Sequence, residues 1–292
     1  MANRTRFQMA HNDIVAFFDS LSPLLLKRRD IEYIFREKRE SWKLAAGTKA
    51  REFIDLLLKH TALKQVNIAF PTNTKIVYTW GEVTAFEIGL ALVSKAYLSH
   101  YTALYLHGLT DQIPKHIYVN HEQSPKDSII PPLEQSNVDV AFIKPQLYSS
   151  NQARFGDYTF VLLNGKYTNQ LGVIEQKHFV AGSVQLTNLE RTLIDLVVRA
   201  DYAGGVYEVV EAYRRAAATV SVNKLVSLLT KLDYRYPYHQ AIGFYMERAG
   251  NYRPAQLQLL KKIGMELDFY LTYDMGATDY SAEWRLYYPK GF

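Results

Sequence analysis

The chain has 292 residues, 48% of them apolar and 22% charged, with a net charge of +5 and no cysteine. These values belong to a folded chain long enough for two units of roughly 150 residues, and they exclude disulfides, thiolate metal sites, iron–sulfur clusters and a cysteine nucleophile. The charge is uneven. Residues 1–82 hold 14 Lys/Arg and 9 Asp/Glu, whereas residues 83–292 hold 20 of each. A local basic excess suits a surface that meets a polyanion, and it also serves plain solubility. Arg4 and Arg6 have no apolar run behind them, so no secretion signal is read there. No apolar run approaches the roughly 20 residues that span a bilayer, so a cytoplasmic protein without a membrane partner is expected.

In chain order, Asp13 is placed to cap a short helix with Ile14, Phe17, Phe18 and Leu21 on one face, and Pro23 marks its boundary. Asp30 precedes a second helix with Ile31, Ile34 and Phe35 inward and Arg36, Lys38 and Arg39 on other faces. Gly47-Thr48 opens a third, whose Ala50, Phe53, Ile54, Leu57 and Leu58 follow the spacing of a helix packed on a core. After His60 the period changes. Residues 65–70 and 76–80 read as strands around the turn Pro71-Thr72-Asn73-Thr74. Three helices and a hairpin predict a winged helix-turn-helix domain over residues 1–82, with the third helix entering the major groove and the hairpin touching flanking backbone. Lys27–Arg51 contains nine Lys/Arg against four Asp/Glu. The candidate DNA-binding residues are Thr48, Lys49 and Arg51 at the third helix, Lys43 before it, and Asn73, Thr74 and Lys75 on the wing. They are chosen on geometry alone. Glu52 and Asp55 on the same helix suit protein contact as well as base contact, so a winged helix used for protein contact stays open.

Residues 83–292 read as a mixed α/β domain with a helical C-terminal part, an α+β chain overall. Thr84–Glu87 fits a capping box for a helix to about Val93, and Ser99 is placed to cap 101–107. Residues 116–120 read as a strand and 121–137 as an exposed loop. Residues 158–163 and 172–175 suggest a hairpin around Asn164-Gly165, with a third strand at 184–186. A second capping box, Thr187–Glu190, opens a helix carrying Leu189, Leu193, Ile194, Leu196 and Val197, and further helices follow at about 206–217, 222–232, 238–249 and 254–263, then strands at 269–273 and 284–288. No phosphate loop is present, because no glycine stands five residues before Gly165 of Gly165-Lys166. His100 and His107 would share a helix face about 10 Å apart, too far for one ion, so no metal or cofactor is expected. Glu190 and Asp195, flanking an Arg191 read as exposed, need no catalysis to explain them. The 22 tyrosines are read as core and interface packing. No enzyme is expected, although a nuclease or modifier with an unrecognised site stays open, as does a plain winged-helix regulator that senses a small molecule.

Two segments carry a family resemblance. Tyr97–Val119 (YLSHYTALYLHGLTDQIPKHIYV) and Thr187–Ala217, with its LERTLIDL core and Tyr202-Ala203-Gly204-Gly205, resemble the signatures of the AbiEi-type antitoxins of bacterial abortive-infection (type IV) toxin–antitoxin systems. The stretch ending KIVYTWG resembles the winged helix of longer family members. The resemblance implies an autorepressor that binds inverted repeats of double-stranded operator DNA in its own promoter, two protomers side by side. It further implies that residues 83–292 neutralise a toxin of nucleotidyltransferase fold, by direct contact or without a stable complex. It implies no catalytic residue.

Overall fold

The computed structural model describes residues 5–21, 24–125, 131–178 and 182–292. The first helix, α1 (Arg6–Asp19), starts earlier than Asp13 suggests. Thr5 accepts from the Gln8 amide while the Gln8 side chain returns to the Thr5 amide, so two orphan donors are satisfied there and Asp13 sits exposed in mid-helix. Pro23 lies outside the described residues. The segments β1 (Leu25–Leu26), α2 (Arg28–Lys38), α3 (Ala50–His60), β2 (Leu63–Ala69) and β3 (Thr74–Trp80) follow. The strands form an antiparallel sheet in the order β1-β3-β2. The helices close over Ile14, Phe18, Ile31, Phe53 and Leu57, with Phe18 stacked 4.7 Å from Trp80.

Both faces of this hairpin are buried. Side chains alternate along a strand, so Leu63, Tyr78 and Trp80 point to the helices while Ile68 and Val77 point the other way. There they join Phe86, Leu98, Val119 and Phe160 of the following unit, and Phe70 packs beside them. The hairpin is thus a wall shared by two cores.

The next unit contains α4 (Ala85–Ala91), β4 (Tyr97–Leu98), α5 (His100–Leu106), β5 (His116–Glu122), α6 (Gln135–Ile143), β6 (Gln152–Phe155), β7 (Tyr158–Gly165), β8 (Val173–His178) and β9 (Gly182–Thr187). The sheet order is β6-β7-β5-β4-β9-β8, with β5 parallel to β7 and β4 parallel to β9. The Thr84–Glu87 box forms as expected. The expected loop at 121–137 is shorter than the reading, because β5 runs to Glu122 and α6 begins at Gln135. Residues 126–130 of that stretch lie outside the described ones.

The hairpin expected around Asn164-Gly165 does not form. β7 pairs with β5 and β6, and β8 pairs with β9. A type I′ turn needs positive φ at both central residues, and neither Asn164 nor Gly165 has it. Gly165 is glycine for another reason: a Cβ there would lie 2.7 Å from the Asn120 side-chain amide.

The helical part comprises α7 (Leu189–Val198), a 3-10 turn at Ala200–Ala203, α8 (Val206–Ala216), α9 (Val222–Leu232), α10 (Tyr238–Ala249) and α11 (Pro254–Lys261). A small sheet of β10 (Phe269–Tyr270), β12 (Leu286–Pro289) and β11 (Thr278–Ser281), in that order, completes the described chain. The second capping box is replaced by a different cap. Thr187 completes β9 and its hydroxyl meets Thr192, so Asn188 becomes the cap and accepts from the Arg191 amide. The architecture is α+β, and no helix among the described residues is long and apolar enough to cross a membrane.

One close approach fixes the helical core. Trp284 is fully buried and lies on Gly243 of α10, where an added Cβ would stand 2.0 Å from the ring. Gly243→Ala is expected to cost about 2 kcal/mol or more through overpacking, read as a lower urea midpoint with unchanged slope. An unchanged midpoint would show that the indole has room to move.

Candidate functional site

The loop from α2 to α3 and the first turn of α3 gather a basic surface. Lys43 sits in the left-handed region at φ +50, and the Leu44 amide donates back to the Arg39 carbonyl, so the chain reverses there out of α2. The α3 N-cap is Lys49 rather than the expected Thr48. Lysine offers no acceptor, and no side chain caps the first amides of this helix. Lys49 and Arg51 are exposed and Thr48 is half-buried. Two cations not nominated from the sequence join them. Arg36 near the end of α2 and Arg39 at its C-cap line, with Glu32 and Glu40, a groove of about 380 Å³ that runs to Ala50 at the start of α3. Their spacing was legible, but their apposition to α3 required the helix packing. Among the described residues, Arg36, Arg39, Lys43, Lys49 and Arg51 make no ion pair, whereas Arg28 and Arg29 pair with Glu32 and Asp30.

The hairpin residues are placed apart from this group. Asn73 and Thr74 are exposed and Lys75 is half-buried, its ammonium 5.9 Å from the Phe70 ring. Among the described residues, no hydrogen bond or ion pair joins them to residues 43–51. Their position is set by the buried wall beneath them.

A second feature lies in the mixed unit. The carboxyl ends of the parallel strands β5 and β7 open into a cleft of about 1010 Å³. Helix α7 supplies one wall with Arg191, Asp195, Val198 and Arg199, one stripe at helical spacing. The turn 233–238 between α9 and α10 supplies another, and seven of the 22 tyrosines line the space.

Arg191 is buried, not exposed as its sequence position suggested. Its Nε donates to Asp195 Oδ1 at 2.8 Å and a terminal nitrogen donates to the Leu171 carbonyl at 2.7 Å. Burial opposes its charge, but Asp195 holds the guanidinium pKa above its ordinary range. Asp195 is 4% exposed, and its Oδ2 has no partner among the described residues. Asn120 is 5% exposed, donates to the Tyr97 hydroxyl at 2.6 Å, and leaves Oδ1 unpartnered. Glu190 turns away to Lys224 Nζ at 2.8 Å and the Ser221 amide. Asp195 and His100 therefore share the cleft while Glu190 does not.

His100 and His107 are held by different partners. His100 opens α5 at φ +51, a strained conformation for a side chain of this size. The Ser99 hydroxyl contacts His100 Nδ1 at 2.9 Å instead of capping the helix, and the ring meets Tyr202 edge-on at 5.5 Å. His107 instead reaches the Thr187 carbonyl at 2.7 Å. Among the described residues no group of three or more His, Asp or Glu is arranged to hold a metal ion.

Burial pushes the His100 pKa down to about 4, so the ring is neutral at pH 7. A base whose folded pKa is depressed binds its proton more weakly than the unfolded chain. Its stabilising effect is full above the unfolded pKa near 6.5 and is lost as pH falls through that value toward 4. His100→Asn is therefore expected to flatten the acid arm of the stability curve by about 2 kcal/mol at pH 5. Urea titrations at pH 7.5 and pH 5 measure this, and an equal acid loss in both proteins would show that His100 is not its source.

The fold is an α+β chain of a basic helical unit sharing a hairpin with a larger mixed unit. It is similar to a solved structure, the RV2827C protein from Mycobacterium tuberculosis, with TM-score 0.60 and 15% identity over 98% of this chain and 93% of that one. At that identity the likeness concerns the fold. No family model matches the sequence, and no curated protein matches it.

Proposed function

We propose that this protein is an AbiEi-type antitoxin that represses its own operon through an N-terminal winged helix. The observation that carries the reading is the element order α1-β1-α2-α3-β2-β3 with sheet order β1-β3-β2, joined to five cations between the end of α2 and the first turn of α3 that make no ion pair among the described residues. In a winged helix the third helix leads into the major groove with its N-terminal residues, and that is where Lys49 and Arg51 stand, with Lys43 in the loop before them. Free helix amides and the helix dipole add attraction for a phosphate. Thr48 and Arg51 are the candidates for base edges, and Asn73, Thr74 and Lys75 for flanking backbone.

The two signature segments support the antitoxin half of the reading. They form β4, α5 and β5 on one side and α7, the 3-10 turn and α8 on the other, and α5 packs against α7. Both run through the mixed unit, whose balanced charge suits a protein partner, a nucleotidyltransferase-fold toxin, better than DNA. No catalytic role is assigned to it.

Two measurements test the reading. Full-length protein is expected to bind inverted repeats from its own upstream region with a log–log salt slope of about −4 to −5, for about five neutralised phosphates. Co-expression with the neighbouring gene is expected to rescue growth from a nucleotidyltransferase-like toxin. The full chain is the right reagent, because cutting at residue 82 strips Ile68, Phe70 and Val77 from the second core. Binding equally tight to unrelated DNA sequences, or no rescue, would defeat the corresponding half.

A further inference from the structure

We propose that the cleft at the carboxyl ends of β5 and β7 is a binding site for a purine nucleotide. This goes beyond the antitoxin reading and does not depend on it. Three independent features point the same way. First, the cleft holds two buried polar groups that the described protein leaves incomplete. Asp195 Oδ2 is an acceptor without a donor. The Asn120 amide is bonded on one side only, and whichever way it is turned, one of its polar atoms is left over. Leaving such groups buried and unpaired is unfavourable, so a site containing two of them fits a ligand that brings the missing partners. The donor-and-acceptor edge of a purine supplies an N–H for the carboxylate and a complementary atom for the amide.

Second, the walls are aromatic. Tyr148, Tyr202 and Tyr236 are among the residues lining the cleft, an aromatic setting that favours a flat π system. The space, about 1010 Å³, is large enough for base, sugar and phosphates. Third, charge is distributed with depth. Arg191 is already neutralised by Asp195 on the floor, while Arg199, half-buried, and Arg235, exposed, carry no ion pair among the described residues. These two are placed for phosphate oxygens.

The floor is also built rather than incidental. Glu122 accepts from the Thr168 and Gln170 amides and holds the 168–170 turn in place. Lys166 Nζ donates to the carbonyls of Leu232 and Asp233, fixing the end of α9, where Asp233 sits at φ +47. His100, at φ +51, also lines the cleft, and strain of this kind persists only where the surrounding structure holds it.

Isothermal titration calorimetry on the full-length protein tests this with ATP, GTP, adenosine, guanosine and inorganic triphosphate in separate arms. At least one of the two nucleotides is expected to bind saturably, with its nucleoside at least tenfold weaker and triphosphate alone weaker still. An Arg199→Ala/Arg235→Ala variant is expected to lose at least tenfold in nucleotide affinity with nucleoside affinity unchanged. Asn120→Ser is expected to lose at least tenfold for both. If Asn120→Ser fails to fold, seen as a missing urea transition, the Arg199/Arg235 variant still decides the matter. No saturable heat with either nucleotide at 1 mM (roughly the upper end for a functional nucleotide site) overturns the proposal. Triphosphate binding as tightly as ATP and GTP would leave an anion site and overturn the base assignment. Single-stranded oligonucleotide binding without mononucleotide binding would overturn it as well.

Discussion

An Arg191→Met variant is expected to lose about 3–5 kcal/mol of stability, because it strands the Asp195 carboxylate in a buried position. The guanidinium and carboxylate are 4% and 6% exposed, so water cannot replace the lost partner cheaply. The same arginine holds the Leu171 carbonyl, which leads into β8, so the loss reaches the strand beyond it. The double variant Arg191→Met/Asp195→Leu is expected to recover most of the deficit, since it removes the desolvation of both charges and leaves apolar volume in their place. Urea denaturation of the three proteins, followed by far-ultraviolet circular dichroism, compares them directly. A double variant no more stable than the single one would mean that the pair is not the source of the cost. The comparison also bears on the cleft. If the double variant folds well yet loses nucleotide binding, the pair has been kept for the site and not for stability.

Lys49→Ala/Arg51→Ala is expected to weaken operator binding by about 100-fold at low salt, to reduce the salt slope by about one for the lost Lys49 phosphate contact, and to relax base preference where Arg51 reads an edge. Stability should hardly change, because both side chains are exposed and neither makes an ion pair among the described residues. Removing Arg36 and Arg39 as well should deepen the loss, since they border the same helix start across the α2–α3 groove. Electrophoretic mobility shifts over a salt series measure the slope as well as the affinity. Operator binding at wild-type strength by the double variant would remove α3 from the interface.

How far the sequence could be read depended on how local the determining physics was. Helices with an uninterrupted apolar stripe were placed closely. Residues 222–232 and 238–249 match α9 and α10 end to end, because a 3.6-residue period needs no knowledge of the partner surface. Caps were less secure. Thr84–Glu87 forms its box, but Thr187–Glu190 does not, since a strand pairing claimed Thr187 first and shifted the cap to Asn188. Asn164-Gly165 carried a hairpin signal that failed because the small residue was needed against Asn120, a contact 45 positions away in the chain. Arg191 looked like an exposed cation on a capped helix. Only the folding of the 168–171 turn and Tyr234 over it shows why it is buried.

What the sequence determined by itself was the uneven charge, the basic group before and within the third helix, the three helices and hairpin of the first unit without the short β1 between them, and the helical run after residue 187. Each follows from composition or from a period shorter than ten residues. What the tertiary structure decided was which of those residues meet. It set Arg36 and Arg39 beside the start of α3, buried both faces of one hairpin between two cores, and drew His100, Asn120 and Asp195 from three elements into one cleft. The reason is physical. A side chain's secondary structure is set mainly by its near neighbours, whereas its burial and its partners are set by residues that only long-range packing brings within reach.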